Sequence, residues 1–539
     1  MTHYLTDCLR RILPVLAMTG VLDAAQPSNA VIILADDLGW MDVGVYAAAA
    51  TGTKPEHQFY ETPHLNRLAE QGVRFSRAYA TPLCSPTRAS LVSGRFGPVF
   101  GFNNAFSLAA TKTWKDVKEQ MPDNALPFDV AQPARPDSRF PLAAATALAA
   151  LPNARPEDKG AKVHAYPEFL PGHRCGFIGK WHIGGDNAEG HRPQDFGFDA
   201  IAYQDEGYSR YFSGRRGWHL PGPETPSPYL TDALTDLAAD WLEQRARDKQ
   251  PFVLKLAHFA VHDPFEAKPE DIAHFERKAT RGWNGHANPV YAAMLRSLDD
   301  SVGRIVETLE KLGLRENTAV IFLSDNGGIQ TKGGAVTSNA PLRGEKAQIY
   351  EGGIRVPFIA SWPGRWPGGA VVDTPVSVCD VAPTLLSLAA ATPPTRAAFD
   401  GRPLQPLLEG RPGDFPSRAL FFHEPYYRPQ AGRPELVLGP SSAIIEGDFK
   451  LIAWHDGRRE LFNLRDDIGE NRNLAESKPE PAQKLLDQLA QWRWQNIPPR
   501  YDTRINPSFD ATAPGAHPLP AGRTPFSRGA PGCPPSPNP

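Results

Sequence analysis

Cys84, Pro86 and Arg88 are spaced so that one short helix would set a thiol and a guanidinium on neighbouring turns. Pro86 carries the fixed φ of a first helical turn. Thr87 to Val92 reads as helix, and Gly94 as its stop. Cys84 then sits at a helix N-terminus, where partial positive charge favours an anion. Asp36-Asp37 follows the apolar run Ala30–Ala35, and Asp325-Asn326 follows the apolar run Ala319–Leu323. Adjacent carboxylates after a buried strand repel unless a cation joins them, although each pair alone also reads as a solvated turn. Carboxylates and an amide oxygen, with no paired Cys or His, suit Ca²⁺ or Mg²⁺ rather than zinc. Lys180 and His182 end a third apolar run, Cys175–His182. Strand alternation predicts both on one face, a cation and an imidazole suited to an anion and a proton.

Apolar runs without alternation are the mark of a parallel sheet covered on both faces. Ala30–Ala35, Cys175–Lys180, Pro251–Leu256 and Ala319–Leu323 are such runs. In open sheets of this kind, ligands gather beyond the carboxyl ends of the strands. Asp36, Asp37, Asp325 and Asn326 are therefore expected to converge. Helices are predicted over Thr62–Gly72 with Thr62 as cap, over Tyr229–Arg247 with Thr231 as cap, over Asn288–Gly313 and over Asp380–Ala390. Val73–Tyr79 reads as one short strand. From about Phe102 to Pro171 periodicity fades, and surface excursions over the site entrance are expected. After Asp400 short strands at Arg418–His423, Ser442–Glu446, Lys450–Trp454 and Arg459–Leu464 predict a small antiparallel sheet, closed by a helix over Pro479–Gln495.

The ungapped run Leu83–Arg95 resembles the signature of the type I, formylglycine-dependent sulfatases of the alkaline phosphatase superfamily. Gly179-Lys180-Trp181-His182-Ile183-Gly184 and Pro341–Phe358 are similar to two further family motifs, and Phe462–Leu474 resembles the family's C-terminal subdomain. The resemblance implies an α/β fold, with a large mixed, mostly parallel sheet flanked by helices and a small C-terminal antiparallel sheet with a helix. The catalytic domain would span 28–400, the second subdomain 401–498 and an unstructured Pro-rich tail 499–539. It implies oxidation of Cys84 to formylglycine (3-oxoalanine) by a formylglycine-generating or radical maturation enzyme, with Arg88 holding its charged form. The implied metal set is Asp36, Asp37, Asp325 and Asn326 with the residue at 84; the family's usual ion is Ca²⁺, and Mg²⁺ is an alternative. Hydrated formylglycine would attack sulfur with help from Asp325, leaving a sulfate hemiester. Lys180 would neutralise the sulfate, His262 and Lys346 would serve the departing alcohol, and His182 would take the proton that expels sulfate. His262 matches the family's His-x-Pro and His258 does not, so His258 reads as a structural neighbour.

The expected substrate is an organic sulfate ester, aryl or carbohydrate. The alternatives are a phosphodiester or phosphonate monoester hydrolase on the same scaffold and an inactive sulfate- or glycan-binding homologue. Arg281, Trp283 and His286, and the stretch Gly214–Trp218, offer cations and ring faces to a sulfated sugar, or form ordinary surface loops.

With 539 residues the chain exceeds one compact core. Lysine plus arginine number 57 against 60 acids, a net charge of −3 that points to neither nucleic acid nor a polybasic membrane patch. The five cysteines, Cys8, Cys84, Cys175, Cys379 and Cys533, are too few for a disulfide framework. Cys175 and Cys379 read as core residues, and a pairing of Cys533 stays open. Arg10-Arg11, the apolar run 12–22 and the small residues before position 26 read as an export signal over 1–25, placing the protein in the periplasm or outside the cell. That run is too short to span a bilayer, and no later stretch qualifies.

Overall fold

The computed structural model describes residues 28–100, 128–129, 164–183, 192–204, 210–212, 228–332, 334–391, 399–430, 433–497 and 504–505. The export-signal segment, Gly214–Trp218, Cys8, Cys533 and most of the excursion over 102–171 and of the tail lie outside these residues.

The large sheet comprises β1 (Asn29–Ala35), β2 (Val73–Phe75), β3 (Arg174–Lys180), β4 (Asp199–Gln204), β5 (Phe252–Ala257), β6 (Thr318–Ser324), β7 (Phe358–Ser361) and β8 (Ala370–Val372), in the order β8-β2-β7-β6-β1-β5-β3-β4. β6, β1, β5, β3 and β4 run parallel, and β7 is antiparallel to both β6 and β2. The apolar runs are thus central strands, fully buried because both faces are covered. Alternation sorts their side chains. Val31, Ile33, Leu254, Leu256 and Phe322 pack with Leu65, Leu234, Leu298 and Ile305 on one face. Ile32, Leu34, Phe177 and Val253 pack with Ala89, Leu91, Val92 and Leu385 on the other.

The covering helices are α1 (Pro63–Glu70), α2 (Cys84–Ser93), α3 (Leu230–Asp248), α4 (Pro289–Lys311) and α5 (Val381–Leu388). Asn288 caps α4 by accepting from the Val290 and Tyr291 amides at 3.0 and 3.2 Å. Two expected caps are corrected. Thr62 Oγ1 accepts from the Gly44 amide at 2.9 Å instead of capping α1. Thr231 lies inside the first turn of α3, whose boundary residue is Tyr229. The single strand expected over Val73–Tyr79 is two. Residues 73–75 join the large sheet, and 78–79 pair with 355–356 and 376–377 in a small sheet, which carries the chain toward α2.

The C-terminal subdomain is the antiparallel sheet β9 (Ala419–Glu424), β10 (Ser441–Glu446), β11 (Phe449–Trp454) and β12 (Arg459–Asn463), hydrogen-bonded in that order, with α6 (Pro479–Asn496). Period-two alternation gives it two apolar faces. Ile445, Ile452, Trp454 and Phe462 pack on Tyr79, Tyr350 and Ile354 of the first domain. Ile444, Leu451 and Leu461 pack on Leu485, Leu486 and Leu489 of α6.

Across the domain contact Lys450 on β11 is fully buried, with Nζ 3.0 Å from Glu351 Oε1 and 2.8 Å from Glu470 Oε1. Glu470 in turn accepts the Glu351 amide at 2.7 Å. Lys450→Met removes the cation between them and leaves two facing carboxylates in the interior. A loss of about 3–5 kcal/mol of unfolding free energy is expected by chemical denaturation of the full chain.

Candidate active site

β1 and β6 are parallel neighbours in register, Ala35 opposite Ser324, so their carboxyl ends lie side by side. The chain leaving β1 carries Asp36 and Asp37, and the chain leaving β6 carries Asp325 and Asn326. All four are buried. The Asp325 amide donates to the Ala35 carbonyl at 3.1 Å, and the Asp37 amide to Asp325 Oδ1 at 3.2 Å. Asp37 holds a φ of 59°, a turn these bonds enforce. Beyond it, Gly327 donates to the Gly353 carbonyl at 3.0 Å, and a Cβ at Gly327 would fall 1.8 Å from the Gly352 carbonyl oxygen. Only glycine permits this approach, which brings Lys346 and its neighbours onto the metal-type residues.

α2 enters the same space. Leu83 is its boundary residue, Gly94 ends it at a φ of 67°, and every residue of the helix is buried. Cys84 Sγ lies 3.5 Å from Asp36 Oδ1 and 3.9 Å from Asp37 Oδ1. One turn on, Arg88 donates from Nε and Nη2 to Asp325 Oδ2 at 2.9 and 2.7 Å, and from Nη1 to the Lys180 carbonyl at 2.7 Å. Its Nη2 is also 3.4 Å from Asp36 Oδ2. Lys180, the last residue of β3, places Nζ 2.5 Å from that same oxygen. Lys346 Nζ reaches Asp37 Oδ1 and Oδ2 at 2.7 and 2.8 Å. Three carboxylates thus face three fixed cations.

The electrostatics follow from burial and neighbours. Burial and then the Asp325 carboxylate push Asp36 up to about 7, against Lys180 and Arg88. Burial also acts to raise Asp37, but Lys346, His262 and Lys180 outweigh it and hold Asp37 well below the usual carboxylate range. Burial, then Asp325, pushes the Cys84 thiol far up, so it stays protonated. Reactive cysteines need an electropositive, partly exposed setting, and this thiol has neither.

His262 comes from the loop after β5. Its Nε2 is 3.6 Å from Asp37 Oδ2, and its Nδ1 is 2.6 Å from the Asp263 carbonyl and 3.2 Å from Asp263 Oδ1. The carbonyl only accepts, so the ring proton sits on Nδ1. Burial and Lys346 lower its pKa to about 3 despite Asp37. Tyr211 fixes this loop with its single hydroxyl proton shared between the Phe259 and His262 carbonyls, 2.6 and 2.9 Å away. His258 is fully buried with Nε2 2.9 Å from Ser301 Oγ, a packed histidine between β5 and α4.

Two expectations need correction. β3 stops at Lys180, and His182 has a φ of 54°, so strand alternation does not orient it, although it is buried. His286 offers no face to a ligand. It is fully buried, stacked on Tyr60 at 4.2 Å, with Nε2 2.9 Å from the Ser338 carbonyl. Arg281 Nε donates to the Ala287 carbonyl at 3.0 Å, and half-buried Trp283 packs edge-on against His286 at 5.5 Å. Arg281 ties the segment to its own backbone, and Asn284 and His286 tie it to the Ala340 and Ser338 carbonyls, so it braces the loop over 338–340.

Sequence reasoning missed the support beneath the site. Buried Asp42 accepts from the Gly39 amide at 2.9 Å, Tyr291 Oη at 2.5 Å and Thr337 Oγ1 at 2.6 Å, anchoring the turn that carries Asp36 and Asp37. Its signal was an acid in an otherwise apolar stretch, Leu38–Val43. It also missed Asp263, whose signal was its place next to His262.

The donor set fits a hard divalent cation. Oxygen or sulfur atoms of Asp36, Asp37 and Cys84 and a nitrogen of His262 lie within 4.8 Å of one another. Asn326 Nδ2 donates to Asp37 Oδ1 at 2.8 Å, while its buried Oδ1 has no hydrogen-bond partner, an orphan that a cation would satisfy. Such an ion would turn a nearly neutral cluster electropositive, the field an anionic ester requires.

Comparison with known proteins agrees with this geometry. The sulfatase family profile matches residues 28–113 and 144–391, and the profile of the N-sulphoglucosamine sulphohydrolase C-terminal region matches 344–495. A sulfatase of Formosa agariphila is 30% identical over 519 residues, covering 88% of this chain and 90% of its own. The N-acetylgalactosamine-6-sulfatase of Canis lupus familiaris is 31% identical over 445 residues, covering 77% and 72%. The crystal structure of Ps i-CgsB in complex with k-i-k-neocarrahexaose is similar at a TM-score of 0.66 and 26% identity, covering 88% of this chain and 95% of that one. The chain belongs to the sulfatase family of the alkaline phosphatase-like superfamily and is an enzyme of sulfate ester hydrolysis.

Proposed function

We propose that this enzyme hydrolyses a carbohydrate sulfate, using formylglycine formed from Cys84 and a calcium ion held by Asp36, Asp37, Asp325, Asn326 and the residue at 84. The observation that carries this reading is the approach of Cys84 Sγ to Asp36 Oδ1 at 3.5 Å beside the partnerless Asn326 Oδ1. The names of two relatives, an N-acetylgalactosamine-6-sulfatase and a protein crystallised with a neocarrahexaose, support a sugar substrate over an aryl one. Residues 1–25 are read as the signal that exports the enzyme to the periplasm or beyond.

A buried thiol held protonated is a poor nucleophile, so the unmodified side chain is ill suited to attack sulfur itself. The hydrated aldehyde supplies a hydroxyl nucleophile and a second hydroxyl through which sulfate can be expelled. A bound divalent ion supplies Lewis-acid polarisation of the sulfate oxygens. The chain's own groups do the rest. Arg88 and Lys180, fixed on Asp325 and Asp36, form a cationic floor that needs no reorganisation when the anion arrives. Lys346 and His262 lie on the side open to solvent, where the alcohol must depart. With its proton on Nδ1, His262 keeps a bare Nε2 toward the reaction centre, which must first take up the proton released by the attacking hydroxyl before it can pass one to the leaving oxygen. His182, buried just beyond Lys180, is assigned the proton of the second hydroxyl by resemblance.

Expressed with a maturation enzyme, the protein should carry an aldehyde on the peptide containing residue 84 by mass spectrometry and should release sulfate from sulfated sugars. Cys84→Ala should lower that release by ~10³-fold or more. A thiol at 84 with full activity would overturn the reading, and faster turnover of phosphonate monoesters would move the chemistry to phosphorus. Dialysis against chelator should abolish activity and lower the thermal midpoint, with both restored by Ca²⁺. The lost stabilisation should be about 2.7 kcal/mol relative to an ion at a hundred times its Kd. Asn326→Ala should raise the Ca²⁺ needed for half-recovery.

A further inference from the structure

Exposure rises in one direction across the site. The Arg88, Lys180 and Asp36 side chains are fully buried, Lys346 and His262 are 12 and 13% exposed, Asp263 is 23% and Lys332 is 51%. An ester with its sulfur at the buried end would extend its alcohol portion toward this more exposed side, which carries His262, Asp263 and Lys332. Lys332 Nζ is 2.5 Å from Asp263 Oδ1, and that same oxygen is 3.2 Å from His262 Nδ1. A half-exposed ammonium therefore stands two short contacts from the imidazole that faces the leaving oxygen.

The turn that presents Lys332 is anchored to the site. The Gln330 amide donates to Glu345 Oε2 at 2.7 Å, next to Lys346, and Gln330 Nε2 donates to the Gly344 carbonyl at 3.1 Å. The Val336 amide closes on the Gln330 carbonyl at 2.9 Å, and Thr331 bridges Ala335. An ammonium has three donors. Asp263 takes one and holds the side chain in place, which leaves donors on the solvent side for a second partner.

We propose that Lys332 is a specificity residue that binds a second acidic group, sulfate or carboxylate, on the alcohol portion of the substrate. This rests on the sulfatase reading above and narrows its substrate to polyanionic esters, such as saccharides that carry a neighbouring acid. Asp263 is the positioning residue that aims the ammonium.

The test uses the matured full chain with phenyl sulfate, 3-carboxyphenyl sulfate and 4-carboxyphenyl sulfate, which share a phenol leaving group and differ by one carboxylate. The wild type should show a lower KM for at least one carboxylated ester. Lys332→Ala should cut that advantage roughly fivefold, through KM rather than kcat, and Lys332→Glu should cut it further. High salt should erase the advantage in the wild type. Equal losses on all three esters would reduce Lys332 to a clamp on Asp263 and overturn the proposal, as would a wild type with no preference. Failure of the wild type to release sulfate from any of the three and from sulfated sugars alike, with an aldehyde confirmed at residue 84, would instead overturn the sulfatase reading itself.

Discussion

The structure depends on the burial of three carboxylates against three cations at the carboxyl ends of two adjacent strands. Asp36, Asp37 and Asp325 lie where water does not screen them, and each is matched by Lys180, Lys346 or Arg88 within hydrogen-bond reach. None of these ionised groups is stable there alone, because desolvation of a single charge costs several kcal/mol. Their mutual satisfaction therefore requires β1, β6, β3, α2 and the Gly327–Gly353 contact all to be in place. The site is a consequence of complete folding, and the strands that position it are fully buried along their whole length.

That dependence also accounts for how much of the architecture is legible in the residues. A continuous apolar run that stops at a carboxylate marks a buried strand delivering a charge to its end, and it occurs twice, at Ala35-Asp36 and at Ser324-Asp325. The three acids and the amide meet because parallel strands in register must end together. Alternation likewise produces the two-faced C-terminal sheet. What was not legible lay where a local rule ends. Alternation holds inside β3 but not past Lys180, so it could not orient His182. Thr62 and Thr231 have the chemistry of caps, but Thr62 serves the Gly44 amide and Thr231 falls inside its helix. His286 sits in a sequence of surface character, and only the tertiary stacking on Tyr60 takes it into the core.

The site also has a polarity that the residue types alone do not reveal. Cys84, the Arg88 guanidinium and Lys180 lie at the closed end. Lys346 and His262 lie toward the mouth, with Lys332 at the rim. An anion entering this gradient meets decreasing water, so each polar contact strengthens with depth, and a divalent ion at the acids would add the net positive charge. The alcohol portion stays in the wetter part, where its polar groups keep their hydration at little cost.

This division separates catalysis from selection. The closed end is over-determined by ion pairs, and a change there disturbs several partners at once. Lys332 pairs with Asp263, and half of its surface faces solvent. Changes at the rim can therefore retune which alcohol is accepted without unbalancing the buried charges. The His262–Asp263 contact is where the two regions meet, because one carboxylate faces both the imidazole and the rim cation. Any group that competes for Lys332 acts on the electrostatic surroundings of the imidazole through that carboxylate, which under the proposed roles would couple recognition of the alcohol to the step that releases it.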